Sequence, residues 1–372
     1  MVSTNASTEV FVIGGGPAGL AAAIAACQRG MSVTLADGTT PPIDKACGEG
    51  MMPETLSALG ELGVRVRPEQ GFAFRGIRFL EEHQQVCGEF PQGTGLGIRR
   101  THLHEWLIHR AMQCGVRLLW QTPVAGISPA GVKLPNQFVA ARWIVGADGT
   151  GSRVRQWSGL DSATVEKQRF AVRRHYRIAP WSEYVEIYWA GKRQAYVTPI
   201  SRDEVCAVVM ADSADQAEFD GFLQTCPQLA ERVAHAEISS RERGAVTLMH
   251  SLRSVHSGNV ALVGDASGGV DAITGEGLRL AFRQAVELAE AMRTNDLASY
   301  ARAHRNLARK PVLMGSLLLN LGRDNRLRSR AFRMLASRPL LFARMLAVHS
   351  GNAAWDDLLS TGAQLGWRFL TT

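Results

Sequence analysis

Short apolar runs that end in glycine or an acidic residue recur along this chain. They predict strands at residues 9–13, 32–36, 143–147 and 259–263, and helices follow the first and the last of them. Between residues 165 and 210 the pattern changes to alternating positions rich in β-branched and aromatic residues, which predicts a second sheet. We therefore expect an α/β protein with a Rossmann-like domain and an interleaved β-sheet domain.

The second sheet is expected to contain four strands, at residues 170–178, 183–189, 194–200 and 205–210. Short loops at Gly191-Lys192 and Arg202-Asp203 separate them. A hairpin-like stretch at residues 72–90 is expected to add strands to the same sheet.

The first apolar run leads into a glycine-rich turn. Gly14, Gly16 and Gly19 form a GxGxxG sequence, with Ala18 inside it, and an alanine-rich helix follows to about residue 28. Gly14 permits the turn, Gly16 lets a pyrophosphate approach the backbone, and Gly19 allows close packing. Asp37 ends the next strand, 23 residues after Gly14, at the spacing of an acid that binds a ribose hydroxyl. This block predicts a dinucleotide site without distinguishing FAD from NAD.

Two later blocks repeat the order of strand, glycine and acid. Asp148 and Gly149 follow the run at residues 143–147, and Gly264 and Asp265 follow the run at residues 259–263. The last block continues into Thr274-Gly-Glu-Gly277 and a long helix to about residue 292. Each block places a carboxylate at a strand end, where it can accept several hydrogen bonds. For Asp148, capping of the following helix is an alternative that is compatible with ligand binding.

Taken in order, these blocks resemble the para-hydroxybenzoate hydroxylase superfamily of FAD proteins. That superfamily includes group A flavoprotein monooxygenases, geranylgeranyl reductases and flavin-dependent halogenases. Its members carry the GxGxxG, an Arg-x-x-Leu helix, a DG motif and a GD motif, and here Arg100-Thr-His-Leu103 supplies the second of these. The resemblance covers most of the chain and implies an oxidoreductase with non-covalently bound FAD.

The resemblance also implies roles for single residues. Arg100 is expected to contact the FAD, and Val124 to lie beside its adenine. Asp148 and Gly149 are expected near the pyrophosphate, and Asp265 is expected to bind the ribityl or phosphate region.

Two loops are expected to touch the flavin ring. Cys47-Gly48-Glu-Gly50 resembles the CGxG loop of the reductases, in which missing side chains let the backbone approach the ring. Gly275, Glu276 and Gly277 open the long helix, whose positive end can face the flavin and favour its anionic reduced form.

His175 and Tyr196 are the predicted catalytic residues. They belong to a set of candidate pocket residues on the second sheet, because aromatic walls suit a flat or prenylated substrate: His175, Tyr176, Trp189, Tyr196 and Thr198. His175 is able to relay a proton near neutral pH. The alternatives stay open, since strand aromatics more often belong to the core and His175 is equally compatible with a hydrogen-bonded surface histidine.

The same FAD could serve two chemistries. A monooxygenase would form a flavin C4a-hydroperoxide and hydroxylate or epoxidise an aromatic, polyketide-like or prenylated small molecule. A geranylgeranyl-reductase-like enzyme would instead send hydride to a C=C bond. The reductases carry a Tyr-x-Trp-x-Phe segment where this chain reads Ala195-Tyr-Val-Thr-Pro199-Ile, and the halogenase Trp-x-Trp-x-Ile-Pro is absent. The sequence therefore favours a monooxygenase that uses O2, with electrons from NAD(P)H or from a reductase partner.

Composition bears on metal binding, disulfide formation, secretion and membrane insertion. The six cysteines show no CxxC or Cys/His spacing, so we predict no metal site and no disulfides, and a reducing cytoplasm fits best. The polar N-terminus lacks the pattern of a signal peptide, and the apolar stretch at residues 311–321 is about half of the ~20 residues that a membrane span needs.

The basic residues concentrate at the C-terminal end. Residues 301–372 hold 12 Lys/Arg and 3 Asp/Glu, and arginines recur there at helical spacing beside apolar residues: Arg323, Arg326, Arg330 and Arg333 with Leu327, Phe332, Met334 and Leu335. Such a stripe can bind an anionic membrane surface or an acidic carrier, which leaves a non-catalytic membrane-docking protein as a third hypothesis. The alternative is an exposed basic face on a packed helix. Nucleic acid is not expected, because no reading module accompanies the arginines.

These patterns together predict a discontinuous organisation. The FAD-binding domain is expected to comprise residues 1–71, 91–164 and 255–300, and the substrate domain residues 72–90 and 165–254. Residues 301–372 are expected to form a helical basic segment.

Overall fold

The computed structural model describes residues 6–82, 84–161 and 164–349. Its strands in chain order are β1 (Ala6–Ile13), β2 (Val33–Ala36), β3 (Gly50–Met51), β4 (Phe72–Phe74), β5 (Gly76–Glu81), β6 (Gln84–Glu89), β7 (Gly95–Gly97), β8 (Arg117–Leu119), β9 (Gly126–Ser128), β10 (Gly131–Lys133), β11 (Phe138–Gly146), β12 (Thr164–Arg177), β13 (Tyr184–Ala190), β14 (Arg193–Pro199), β15 (Glu204–Ala211), β16 (Glu237–Ile238), β17 (Arg243–Ser251), β18 (His256–Ser257) and β19 (Val260–Leu262). Its helices are α1 (Pro17–Gln28), α2 (Pro53–Glu61), α3 (Arg100–Gln113), α4 (Arg153–Trp157), α5 (Phe219–Thr225), α6 (Pro227–Val233), α7 (Gly277–Thr294), α8 (Leu297–Arg323), α9 (Asn325–Ala336) and α10 (Pro339–His349).

The first sheet has the strand order β18-β19-β11-β1-β2-β8, and all its pairs from β19 to β8 are parallel. Its register pairs Ile13 with Ala36 on one side and with Gly146 on the other, and Gly146 in turn with Leu262. The carboxyl ends of four strands are therefore aligned. The residues that follow them meet at one edge of the sheet, where doubly wound folds bind their ligands. The predicted Rossmann-like α/β architecture is confirmed.

Helix α1 lies in the centre of the first core. It begins at Pro17, directly after Gly16, and its alanines are buried almost without exception up to Ala26. Small side chains let α1 pack closely between β1 and α7, and Leu20, Ile24 and Phe282 belong to the same hydrophobic core. This packing fixes the N-terminus of α1 at the carboxyl edge of the sheet.

The second sheet has the strand order β16-β12-β15-β14-β13-β5-β6, and β17 also pairs with β12. The four predicted strands are present with shifted ends, and the β5–β6 hairpin joins them as expected. The N-terminal part of that hairpin prediction is wrong. Phe72–Phe74 instead forms a separate three-stranded sheet with β3 and β7, because Gly95 leaves room for Phe74: a Cβ on Gly95 would lie 2.3 Å from its ring.

Helices cover both faces of the second sheet. On one face, α5 buries Phe219 and Phe222, and α6 buries Leu229 and Val233, in a core shared with the strands. On the other face, α9 and α10 bury Phe332 and Phe342 against Phe79. The predicted C-terminal helical segment thus starts with α8–α10, and residues 350–372 of that prediction lie outside the described residues.

Within the described part of the chain, no helix is both long and apolar enough to cross a membrane.

Candidate functional site

The glycine-rich turn after β1 leaves space for a ligand beside the start of α1. Gly14 has φ +110°, and a Cβ there would lie 2.4 Å from the carbonyl oxygen of Ala147. A Cβ on Gly19 would lie 1.8 Å from the carbonyl oxygen of Gly14. By contrast, a Cβ on Gly16 would meet nothing within 4 Å. Gly14 and Gly19 are therefore required by packing, whereas Gly16 borders open space at a helix N-terminus, where a pyrophosphate fits.

Asp37 lies next to this turn. Its Oδ2 accepts a hydrogen bond from the Gly15 amide at 2.6 Å, and its Oδ1 accepts one from the Thr39 amide at 2.8 Å. An ionised carboxylate has about four acceptor sites, so Asp37 retains capacity for a ribose hydroxyl. The half-buried Val124 belongs to a segment that is tied to the same place, because the Thr122 amide donates to the Asp37 carbonyl at 2.8 Å.

The DG motif combines a helix cap with an open turn. The Asp148 carboxylate accepts from the amides of Arg153 at 2.7 Å and Val154 at 3.1 Å, and from the Ser152 hydroxyl at 2.5 Å. Gly149 has φ +82°, and the atom nearest to a Cβ there would be Lys45 Nζ at 4.0 Å. The capping role of Asp148 is thus present in the structure. Its proximity to a pyrophosphate stays a prediction.

The GD motif offers an unengaged carboxylate. Gly264 has φ +59°, and a Cβ there would lie 2.6 Å from the Cβ of Ala18, so this turn packs against the start of α1. Asp265 is exposed, and its carboxylate has no hydrogen bond or ion pair with any described residue. The buried Arg155 joins this motif to the DG motif by donating to the carbonyls of Ala266 and Thr150.

Arg100 provides an unengaged donor near the same edge. Its Nε is buried without a hydrogen-bond partner, while its amide donates to Glu49 Oε1 at 3.0 Å. A buried donor without a partner costs about 1–3 kcal/mol, which a bound acceptor would recover. The free carboxylate of Asp265, the free donor of Arg100 and the open side of Gly16 together fit a ligand with both hydroxyls and phosphates, as FAD has.

The CGEG loop is anchored by its glutamate. Glu49 has φ +56° and is 3% exposed. Its Oε2 accepts from His175 Nε2 at 2.7 Å, and its Oε1 lies 3.3 Å from Arg173 Nη1. Gly48 faces open space, and a Cβ on it would meet nothing within 4 Å. The buried glutamate therefore holds the loop against β12 while the neighbouring glycine faces outward. Cys47 is half-buried beside it.

The proton position on His175 follows from its partners. Its Nδ1 lies 2.8 Å from Arg99 Nη1 and 2.6 Å from Ser240 Oγ. Because a guanidinium only donates, Nδ1 accepts and the ring proton is on Nε2, directed at Glu49. His175 is completely buried, so the alternative of a surface histidine is wrong.

The same network continues to the molecular surface. Arg99 forms a two-bond ion pair with Glu204, whose side chain is 16% exposed. Burial opposes ionisation of Glu204, but hydrogen bonds from Arg99 and Ser239 outweigh it and lower the pKa of this carboxyl. The line from Glu49 through His175 therefore ends at partly exposed groups, namely Glu204 and Ser240.

The TGEG loop is held by a second arginine of β12. Arg169 Nη1 donates to Asp271 at 3.1 Å, and Asp271 accepts from the Ile273 amide at 2.9 Å. Gly275 has φ +66°, with Met52 Cε 3.5 Å from where its Cβ would lie. Glu276 is buried and pairs with Arg279, and a Cβ on Gly277 would meet nothing within 4 Å.

Tyr196 belongs to this second network and not to that of His175. Its hydroxyl donates to Gln194 Oε1 at 3.2 Å, and Gln194 Oε1 also accepts from Arg169 Nη2 at 2.9 Å. Burial raises the pKa of Tyr196, so its hydroxyl stays protonated. The structure therefore separates the two predicted catalytic residues, and the catalytic role of each stays a prediction.

Three residues near the site were not identified from the sequence, namely Glu49, His104 and Trp120. His104 donates from Nε2 to the Gly15 carbonyl at 2.7 Å, and its burial lowers its pKa, which keeps the ring neutral. The ring of Trp120 covers Gly15, since a Cβ there would lie 2.3 Å from it. Glu49 lies inside the CGEG loop and His104 directly follows the Arg-x-x-Leu motif, so their position in or beside a motif was the available signal.

Glu49, His175 and Cys206 bring three possible metal-ligand atoms within 4.8 Å of one another. The guanidinium groups of Arg99 and Arg173 already bind His175 and Glu49. Two adjacent positive charges disfavour a cation, so we interpret this cluster as an ion network.

The comparisons with known proteins agree with this geometry. The family described as FAD binding domain matches residues 7–298. Menaquinone reductase of Mycobacterium tuberculosis (strain ATCC 25618 / H37Rv) is 25% identical over 323 residues, which cover 80% of this chain and 79% of the relative. The putative 2-heptyl-3-hydroxy-4(1H)-quinolone synthase AqdB1 of Rhodococcus erythropolis is 28% identical over 304 residues, which cover 76% of this chain and 79% of the relative.

A solved structure shares the fold over almost its whole length. The flavoprotein/dehydrogenase from Cytophaga hutchinsonii superposes with a TM-score of 0.80 at 17% identity and covers 93% of both chains. With the glycine turns, the unengaged acid and the matched residues in agreement, the chain belongs to the FAD binding domain family of FAD-dependent oxidoreductases, which confirms the predicted resemblance to the FAD-dependent hydroxylases.

Proposed function

We propose that this protein is a monooxygenase that uses FAD to add one oxygen atom of O2 to an electron-rich ring or alkene. The observation that carries the proposal is the wall opposite the CGEG loop. The atoms nearest to where a Cβ on Gly50 would be are Thr198 Cγ2 at 3.4 Å, Val185 Cγ2 at 3.6 Å and Phe74 Cζ at 3.7 Å, so carbon atoms surround this end of the loop. A dry wall of this kind protects reactive oxygen chemistry from water.

The residues that would hold FAD follow from the free donors, acceptors and open glycines. Gly16 and the N-terminus of α1 suit the pyrophosphate, Asp37 a ribose hydroxyl, and Arg100 and Asp265 the phosphate or ribityl part. When bound there, FAD supplies the electrons and the reaction with O2.

The protein itself supplies charge balance and a path for one proton. Glu49 is paired with Arg173, and Asp271 with Arg169, so neither buried acid presents a bare charge to a substrate. His175 holds a proton on Nε2 towards Glu49, and its Nδ1 faces the half-buried Ser240. A proton moving between the CGEG loop and solvent would pass along these groups.

The relatives support a lipophilic substrate. The names of the two relatives, menaquinone reductase and putative 2-heptyl-3-hydroxy-4(1H)-quinolone synthase, refer to a quinone and to an alkylquinolone. Both suggest a ring with polar substituents, which fits a mostly apolar wall with few polar groups. We propose a ring-bearing small molecule with an alkyl or prenyl chain as substrate.

Reoxidation in isotopically labelled O2 tests the proposal. The flavin would first be reduced anaerobically with NADH or NADPH in the presence of phenols, quinones and quinolones that carry alkyl chains. Labelled oxygen in the product supports oxygen insertion. A saturated, unlabelled product contradicts it and favours reduction. Reduction that occurs only with an added flavin reductase would identify a partner protein as the electron donor.

Reduction of a C=C bond is the second candidate function, and Cys47 is the observation that favours it. Such a reaction adds a hydride, from the reduced cofactor, to one carbon and a proton to the other. The Cys47 thiol lies beside the open Gly48 and accepts from the Glu49 amide at 3.4 Å, so its S–H remains available as the proton donor. Cys47→Ser would then slow product formation far more than flavin reduction, whereas Cys87→Ser, at another half-buried cysteine, would not.

The compartment is also a proposal. All six cysteines are free thiols in the structure, which suits the reducing cytoplasm that their spacing suggests.

A further inference from the structure

Helix α8 exposes an apolar strip on its outer side. Val312, Leu313 and Leu317 are 37%, 41% and 46% exposed, and Leu340 at the start of α10 is 79% exposed. Nine large hydrophobic residues are exposed in the described part of the chain, and these four account for almost half of them. Scattered exposed hydrophobics are normal, but such a concentration within two helices indicates an interaction surface.

The inner side of the same helix contacts the candidate site. A Cβ on Gly315 would lie 3.3 Å from Thr274 Cγ2 in the TGEG loop, and one on Gly322 would lie 3.1 Å from the Trp189 ring on β13. An α-helix is about 10 Å across, so the apolar strip is separated from the TGEG loop by one helix diameter.

Basic residues continue the strip towards the start of α8. Arg305 and Arg309 precede Leu313 and Leu317 at intervals of four residues, which places all four on one side of the helix. Both arginines are exposed, and neither has a carboxylate partner among the described residues. Residues 301–349 contain 11 Lys/Arg and one acid, Asp324, whose carboxylate caps α9. The surface is thus apolar and positive, with almost no compensating negative charge.

We propose that the outer side of α8 docks the protein on an anionic lipid bilayer. Leucine and valine side chains at an interface bury into the boundary between headgroups and acyl chains, while arginines bind the anionic headgroups. A second copy of this chain would bring two positive surfaces together, which disfavours self-association here. Docking in this orientation places the TGEG loop about one helix diameter from the lipid surface, from which an apolar substrate could enter.

Vesicle flotation of the yellow holoenzyme tests this docking surface. Vesicles of phosphatidylcholine with phosphatidylglycerol should carry the protein upward, and vesicles of phosphatidylcholine alone should not. The fraction that floats should fall as salt rises, because salt screens the arginines. The pairs Leu313→Asp/Leu317→Asp and Arg305→Glu/Arg309→Glu should each weaken binding by at least about tenfold.

Matched changes elsewhere serve as controls. Met112→Asp introduces the same charge at a methionine that is 62% exposed on α3, and Arg65→Glu/Arg67→Glu reverses two exposed charges in the segment between α2 and β4. Both controls should float like the unaltered protein. Because the four α8 side chains are exposed, each variant should keep its bound flavin and its circular dichroism. If the Leu313→Asp/Leu317→Asp variant loses its flavin or its circular dichroism, the Arg305→Glu/Arg309→Glu variant still tests the same side of α8.

Several results would overturn the proposal. One is the absence of flotation with anionic vesicles, and another is equal flotation with neutral vesicles. A third is undiminished flotation of both α8 variants. Retention on immobilised polyglutamate without flotation would assign this surface to an acidic protein partner instead. None of these outcomes depends on whether the enzyme oxygenates or reduces its substrate.

Discussion

Glu49 is the residue on which the CGEG loop depends most. It is buried at a left-handed φ of +56°, which non-glycine residues rarely adopt, and three donors compensate its charge: His175, Arg173 and the Arg100 amide. Such a conformation persists where surrounding contacts enforce it. The loop geometry is therefore set by β12 and α3, and the glycines on either side only permit it.

Glu49→Gln should destabilise the protein by about 3 kcal/mol, because it removes one charge from a buried ion network and leaves the others. Urea unfolding followed by circular dichroism would measure the change. Glu237→Gln is the matched control, since its ion pair with Arg177 is more than half exposed and should contribute less than about 1 kcal/mol. Equal effects of the two substitutions would contradict the anchoring role of Glu49.

Asp265 gives the complementary case of a residue without a protein partner. Asp265→Ala should change stability of the unliganded protein by no more than about 0.5 kcal/mol, because it breaks no contact in the protein. It should nevertheless yield a colourless protein on purification, since it removes an acceptor for the FAD. Absorption spectra and FAD titration would measure this. Asp215→Ala, at another exposed acid, should stay yellow, and full FAD occupancy of Asp265→Ala would refute the assignment.

Among the elements, helix α9 shows that helical spacing of arginines did not identify the arginine that anchors the helix. The stripe Arg323, Arg326, Arg330 and Arg333 was identified from the sequence, but the arginine that fixes the helix is Arg328, between them. It is 1% exposed, donates to Glu81 Oε1 at 2.6 Å and lies 5.0 Å from the centre of the Trp189 ring. A basic helix thus uses a buried ion pair to attach to β5.

Arg328→Ala should therefore lower the free energy of unfolding by about 3–5 kcal/mol, since it leaves Glu81 buried without its cation. The double variant Arg328→Met/Glu81→Leu should recover most of that loss, because a buried ion pair can be replaced by packed apolar side chains. Urea unfolding of both variants would test this, with Arg326→Ala on the exposed side of α9 as control. Failure of the double variant to recover would mean that the Trp189 contact dominates.

For the whole molecule, the parts predictable from sequence are those encoded locally. Gly14, Gly19 and Asp37 predicted the first sheet and its ligand-binding edge, because β1, the glycine-rich turn, α1 and β2 follow one another directly along the chain. The contacts that assemble the site are not local. Glu49 and His175 are 126 residues apart, and Arg169 reaches Asp271 over 102 residues. Each of these residues alone has an ordinary surface interpretation, and only the pairing of β12 with two loops gives them their roles.

Two buried histidines make the stability of the whole chain depend on pH. Burial lowers the pKa of His304 to about 4, and burial also lowers the pKa of His104. His304 Nε2 lies 2.9 Å from Ser267 Oγ, which donates to the Gly264 carbonyl, so a neutral His304 links α8 to the GD motif. Unfolding lets both rings bind protons near their ordinary pKa of about 6.5. Below that value the unfolded state therefore binds more protons than the folded state.

The free energy of unfolding should consequently be level between about pH 6.5 and 8 and fall as pH drops from 6.5 towards 4. Each histidine contributes a slope of up to about 1.4 kcal/mol per pH unit in this window. Urea unfolding at a series of pH values would measure the slope, and His304→Gln, which keeps a donor for Ser267, should reduce it by about half. His109→Gln, at an exposed histidine of α3, serves as the control. A slope that His304→Gln leaves unchanged would mean that His304 is not held neutral by the fold, and that the link between α8 and the GD motif tolerates a charge.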